Sequence, residues 1–269
     1  MRFRDFVIYA VDVGSVKQGN FAWASSVRGG DCKMETLIAA ISEDFAASRA
    51  VALGFESPLW IPIADDPDQL TCARQGVGNR PWSAGAGCGA LATGLAQSTW
   101  VLDRLRRAAP TATAYLDWSF FANAEGPRLL IWEALVSGKA KGVDHGHDAA
   151  IAVEAFVQAL PDPTSKVAVT PGRNVHSLIG AAMLRTGWTS DPTTLSRPCL
   201  VIGASAEVRD DRSQRQRDNE LISYLVKMAL SQWFKDHGRP MMAEHYARMA
   251  SQPTETTASP QRKRRAKKG

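Results

Sequence analysis

Four acids and one histidine carry the chemistry this sequence suggests. Asp12 closes the apolar run FVIYAV, Glu56 follows AVALGF, and Glu133 follows LLIW. Each acid therefore ends a stretch that reads as a buried strand. His145 and Asp148 open a fourth apolar stretch, HGHDAAIAVEAFV, and share one side of its first helical turn. A carboxylate beside a buried face is costly unless something pairs with it. Several brought together repel one another, so a shared cation or a raised pKa is expected. Oxygen ligands of this kind suit Mg²⁺ or Mn²⁺. Two such ions can stabilise the attacking and leaving oxygens of a phosphodiester. The expected ligands are Asp12, bridging two ions, with Glu56 and Asp148 holding one each. Glu133 is expected in support, and His145 is placed for proton transfer.

Each residue also has a plainer reading. Asp12 and Glu56 could be turn acids, and Glu133 could pair with Lys139. Asp148 could serve only the helix N-terminus, and His147 reads as a surface histidine. The Gly-rich stretch RQGVGNRPWSAGAGCG is loop chemistry, and no GK[ST] follows it to make a P-loop. Within it, Arg74 and Arg80 either grip phosphate through bidentate bonds or hold the loop on acids. Trp82 either stacks on a base or packs the loop.

The elements that must position these groups follow from the spacing of apolar residues. Strands are expected at 6–13, 20–25, 50–55 and 129–132, with a short one around Cys32 and a last one at 199–202. Helices are expected at 36–47, 90–107, from 145 onward, at 176–188 and at 221–234. The last of these is a packing or oligomer surface, and the oligomeric state stays open. The organisation read from this is a domain over 1–160 with an insert at 57–88. An extension at 161–249 and a disordered basic tail at 250–269 complete it.

The formal net charge is +5, but six of the last nine residues are Lys or Arg, which leaves residues 1–260 at −1. The folded part has no basic footprint of its own. Four scattered cysteines without CxxC spacing argue against a zinc site or a disulfide framework. No apolar run approaches the length of a membrane span. A soluble, cytoplasmic protein is the expectation.

The ordered set DVGS at Asp12, GFESP at Glu56 and HGHDAA at His145 and Asp148 resembles the ribonuclease H-like superfamily, in its Holliday-junction resolvase branch. GFESPLWIP, RPWSAG and the strand-ending WEA further resemble an uncharacterised family of predicted nucleases with that fold. The likeness covers roughly residues 6–160. It implies an α/β fold with a mixed five-stranded sheet flanked by helices. It also implies Mg²⁺- or Mn²⁺-dependent cleavage of DNA or RNA, with Asp12, Glu56 and Asp148 as ligands. Glu133 has no counterpart in the resolvase motif, and the insert is longer than the hairpin usual there. Two rival classes remain. D-x-G-[ST] on a first strand also occurs in actin-like ATPases and sugar kinases. An inactive module binding nucleic acid through the tail and the Arg-containing loop is the other.

Overall fold

Apolar runs with no polar interruption become strands buried on both faces. In the computed structural model the chain begins with β1 (Phe6–Asp12), β2 (Ala22–Ser25), α1 (Met34–Ala46), β3 (Ala50–Phe55), β4 (Trp60–Pro62) and α2 (Gly85–Ala108). It continues with β5 (Thr113–Tyr115), α3 (Trp118–Asn123), β6 (Arg128–Leu135), α4 (His145–Ala159), β7 (Val175–Ser177), α5 (Leu178–Arg185) and β8 (Val201–Gly203). The structure describes residues 6–78 and 81–204 together with Glu244. Two units divide the chain, Met1–Val208 and Arg209–Gly269, and the fold described is that of the first. Arg80, the helix expected at 221–234 and the basic tail lie outside the described residues.

The main sheet is mixed, with most strands parallel. Its order is β2-β1-β3-β6-β5, with β2 antiparallel to β1 and the others parallel. β5 pairs with the start of β6, and β8 pairs in parallel with its end, at Glu133–Leu135. Glu133 is in register with Phe55 as well as Val201, so β3 and β8 lie on opposite edges of β6. Two short strands thus share the fifth position, and the sheet has six strands where the sequence led to five. The short strand expected around Cys32 is reduced to one bridge, Trp23 to Asp31. β4 and β7 form a separate antiparallel pair. Because β8 joins the sheet itself, residues up to 204 belong to the same unit as 6–160 rather than to an added extension.

Alternation along the strands sorts the core into two layers. Val7, Tyr9, Val11, Leu53, Phe55 and Ile131 pack with Leu37 and Ile41 of α1, Val101 and Leu105 of α2, and Met183 of α5. Ile8, Ala10, Ala52, Leu130 and Trp132 pack with Ala152 and Phe156 of α4 and with Phe121 of α3. Gly54 is required in that second layer: a Cβ there would lie 2.4 Å from the Trp132 ring. The indole fills the space a side chain would take, and it meets Phe156 at a centroid distance of 4.7 Å. Among the described residues no helix is long and apolar enough to cross a membrane.

Candidate metal centre

Strand register decides which acids meet. Val11 pairs with Phe55, and Phe55 with Glu133. Neighbours in register on a sheet point to the same face, here the face of α1 and α2. The Glu56 N–H donates to Val11 O at 2.8 Å, which carries the ladder one residue further. Asp12 and Glu56 therefore stand side by side and point to the other face, toward α4. The start of α4 is fixed by Asp144, whose carboxylate accepts from the His147 N–H at 2.8 Å. That cap sets His145 and Asp148 in the first turn above the strand ends.

One ligand oxygen from each of Asp12, Glu56 and Asp148 lies within 4.8 Å of the other two. Asp12 and Asp148 are buried, at 5% exposure each. His145 Nδ1 lies 2.5 Å from Asp12 Oδ2. The Gly142 N–H donates to Asp148 Oδ1. Lys141 Nζ reaches both Glu56 Oε1 and Asp148 Oδ2 at 3.1 Å. Glu56 Oε2 is buried with no hydrogen-bond partner. A buried carboxylate oxygen without a donor, among three acids and one tethered ammonium, is what a hard cation would complete. Three carboxylates and no sulfur suit Mg²⁺ or Mn²⁺, so the residues present fit the ion.

Lys141 is the residue that the sequence reading passed over. The loop carrying it is held on α4, because the Val143 N–H donates to His147 Nδ1 at 3.2 Å. His147 is exposed, as expected, and also anchors this loop. A Cβ at Gly142 would come within 2.7 Å of the His147 ring, so the loop can lie this close only with glycine there. SGKAKG offers two lysines, and nothing in the spacing says which turns inward.

Burial is the main cause that raises Glu56, and the neighbouring Asp12 charge adds to it, so its carboxyl is pushed up to about 8. Lys141 offsets part of this. Burial likewise raises Asp12, against the pull of His145 and Lys141. Folding of the metal-free protein therefore takes up a proton on Glu56 between its ordinary value of 4.5 and about 8. A raised acid binds more protons folded than unfolded, so stability falls as pH rises through that window. The upper bound on the loss is about 5 kcal/mol. Urea unfolding in chelator at pH 5 and pH 8 is expected to show the decline. Glu56→Gln is expected to flatten it, and a Glu56→Gln profile as steep as wild type would assign the decline to another group.

Glu133 and Arg74 are paired with each other. Glu133 continues the set of Leu129 and Ile131, so it faces away from Asp12. Its carboxylate is taken by Arg74: Nη1 donates to Oε2 at 2.8 Å and Nη2 to Oε1. The Leu59 N–H donates to Oε2 at 2.9 Å. The guanidinium also lies 4.9 Å over the Trp60 ring. Both partners are buried, Arg74 at 5% and Glu133 at 1% exposure. The bidentate pair is the second of the two readings given for Arg74, and it occupies both oxygens of the carboxylate expected to be catalytic. Trp82 is partly buried and lines a cavity of about 790 Å³ that also reaches Asp12, Glu56, Lys141 and His145. Comparison with family models, with curated proteins and with solved structures finds no match for this chain.

Proposed function

We propose that this chain is a metal-dependent phosphodiester hydrolase, a nuclease of ribonuclease H-like type acting on DNA or RNA. The observation that carries the reading is the convergence of Asp12, Glu56 and Asp148, from β1, the end of β3 and α4, within 4.8 Å. The resemblance implies three strands before the first helix and a Glu ending the fourth; two strands precede α1 and Glu56 follows β3, while the acid on strand one and the acid on a late helix stand as implied. Asp12, Glu56 and Asp148 would hold the ion, which when bound would supply Lewis acidity toward a phosphoryl oxygen and make a bound water more acidic. His145, 44% exposed at its side chain and in contact with Asp12, is placed to hold or pass a proton at the reacting oxygens. Lys141 neutralises the cluster in the absence of metal and is free to turn to a phosphate once a cation takes its place.

A tethered ammonium competes with a metal for the same oxygens. Lys141→Gln is therefore expected to bind Mn²⁺ about tenfold more tightly than wild type by calorimetric titration. Weaker binding in that variant would mean that Lys141 helps to build the site rather than fill it. The proposed activity is tested with the full chain and labelled single-stranded DNA and RNA, in Mg²⁺, in Mn²⁺ and in chelator. Cleavage that depends on the metal is expected. If neither nucleic acid is cut under any of these conditions, the reading fails.

A further inference from the structure

We propose that the cavity beside the carboxylates takes one unpaired nucleotide at the end of a single strand, an assignment that rests on the nuclease reading above. A cavity of about 790 Å³ reaches from Pro81, Trp82 and the first turns of α2 to Asp12 and Glu56. That is the size of a small-molecule pocket. A base still paired and stacked in a duplex cannot enter such a space without being extruded.

The walls suit the flat face of a base. Pro81 and Trp82 lie directly on the first turn of α2: a Cβ at Gly87 would meet Pro81 O at 2.5 Å. Along the same helix Ala86, Gly89, Ala90 and Thr93 line the cavity, small side chains that leave room for a ring. An indole in the same lining offers a face on which a base stacks.

Polar groups left unspent in the protein suit the edge of the base. Four atoms on residues lining this cavity are buried without a hydrogen-bond partner: Glu56 Oε2, which the metal reading uses, and Ser57 Oγ, Trp82 Nε1 and Arg74 Nε. Ser57 is 3% and Arg74 5% exposed, so solvent does not serve them. A buried donor without an acceptor is costly to leave unmatched. Trp82 Nε1 is a donor only, on a residue that lines the cavity, and an occupant with acceptors, such as the carbonyl oxygens of a base, suits it. The charge agrees. Residues 1–260 carry a formal −1, which gives no electrostatic footprint for a long phosphate track. Recognition by stacking and edge contacts, with a shallow salt dependence, follows.

Two measurements on the full chain test this. In the first, linear single strands, the same strands circularised and blunt duplexes are incubated in Mg²⁺ or Mn²⁺. Mononucleotides released from linear ends are expected, with circles and duplexes cut at least tenfold more slowly. In the second, thymidine and uridine monophosphate are titrated calorimetrically in Mg²⁺. Both are expected to bind, and Trp82→Ala is expected to weaken them about tenfold. Ala90→Leu, which fills the cavity without touching the insert, is expected to weaken them likewise. Circles cut as fast as linear strands, or mononucleotide binding absent or unchanged in both variants, would overturn the pocket and leave metal-dependent cleavage standing. Mononucleotide binding that responds to both variants, with no metal-dependent cleavage of any strand, would overturn the nuclease reading instead.

Discussion

Asp148→Asn and Asp12→Asn are each expected to lower metal-dependent cleavage by about 10³-fold or more, while the metal-free protein stays as stable as wild type or gains stability. The activity loss follows from the ligand set. Asp12, Glu56 and Asp148 are the acids that converge among the described residues, and an amide oxygen binds Mg²⁺ far less well than a carboxylate. The stability change has the opposite sign because the cluster is strained when empty. The charges of Asp12 and Asp148 both help to raise Glu56, so removing either relieves repulsion. Asparagine at 148 still accepts from the Gly142 N–H through its side-chain oxygen. The bond lost is the one to Lys141, a residue half exposed at its side chain, where an ion pair is worth little. The decline of stability between pH 4.5 and 8 is expected to be shallower in both variants, since Glu56 moves back toward its ordinary range. A structural acid behaves in the reverse way, with activity surviving and the melting temperature falling. Steady-state cleavage measured beside urea unfolding separates the two. Wild-type activity in both variants would remove the metal assignment.

The sequence made four of these groups legible for one reason: each stands where an apolar run meets a turn. Asp12 ends β1, Glu56 directly follows β3, and His145 and Asp148 fall in the first turn of α4. In the sequence Glu133 closes the run LLIW in the same way, although β6 continues to Leu135, and nothing along the chain separates it from the others. What separates it is register. Parallel strands can pair in several offsets, and the observed one puts Glu133 beside Phe55 rather than beside Glu56, hence on the opposite face. Arg74 was ambiguous because a Gly-rich loop has no period to say which side chain turns inward. The elements missed altogether, β4, β5, α3 and β7, span three to six residues, too few for periodicity to register. The helix expected to begin at His176 begins at Leu178 instead. Val175–Ser177 pairs with β4, and Ser177 Oγ then accepts from the Gly180 N–H to cap the helix. That pairing joins segments more than a hundred residues apart, which local propensity does not report.

Glu133→Gln and Arg74→Met are each expected to destabilise the fold by about 3–5 kcal/mol, because each leaves the other member of a buried ion pair without its counter-charge. For a chain of this size the melting temperature is expected to fall by roughly 6–20 °C. Glutamine at 133 keeps an acceptor for the Leu59 N–H, so the loss in that variant belongs to the stranded guanidinium and not to the start of β4. Methionine at 74 keeps the stem packed against Trp60 and removes only the charge and its donors. The double variant is expected to recover most of the loss, to within about 1–2 kcal/mol of wild type, since a neutral pair has no desolvated charge to compensate. Urea unfolding of the four proteins in chelator closes the cycle. Mn²⁺ titration of the same set supplies the second axis. Glu133 points away from Asp12, so its affinity is expected to stay within about twofold of wild type in all four. A Glu133→Gln protein that unfolds like wild type and fails to bind Mn²⁺ would make that carboxylate a metal ligand, and the pair with Arg74 would then be what metal binding breaks. The opposite pattern, lost stability with metal affinity intact, identifies the pair as the brace that ties the start of the insert to the end of β6, one residue along from the metal centre on the far face of the sheet.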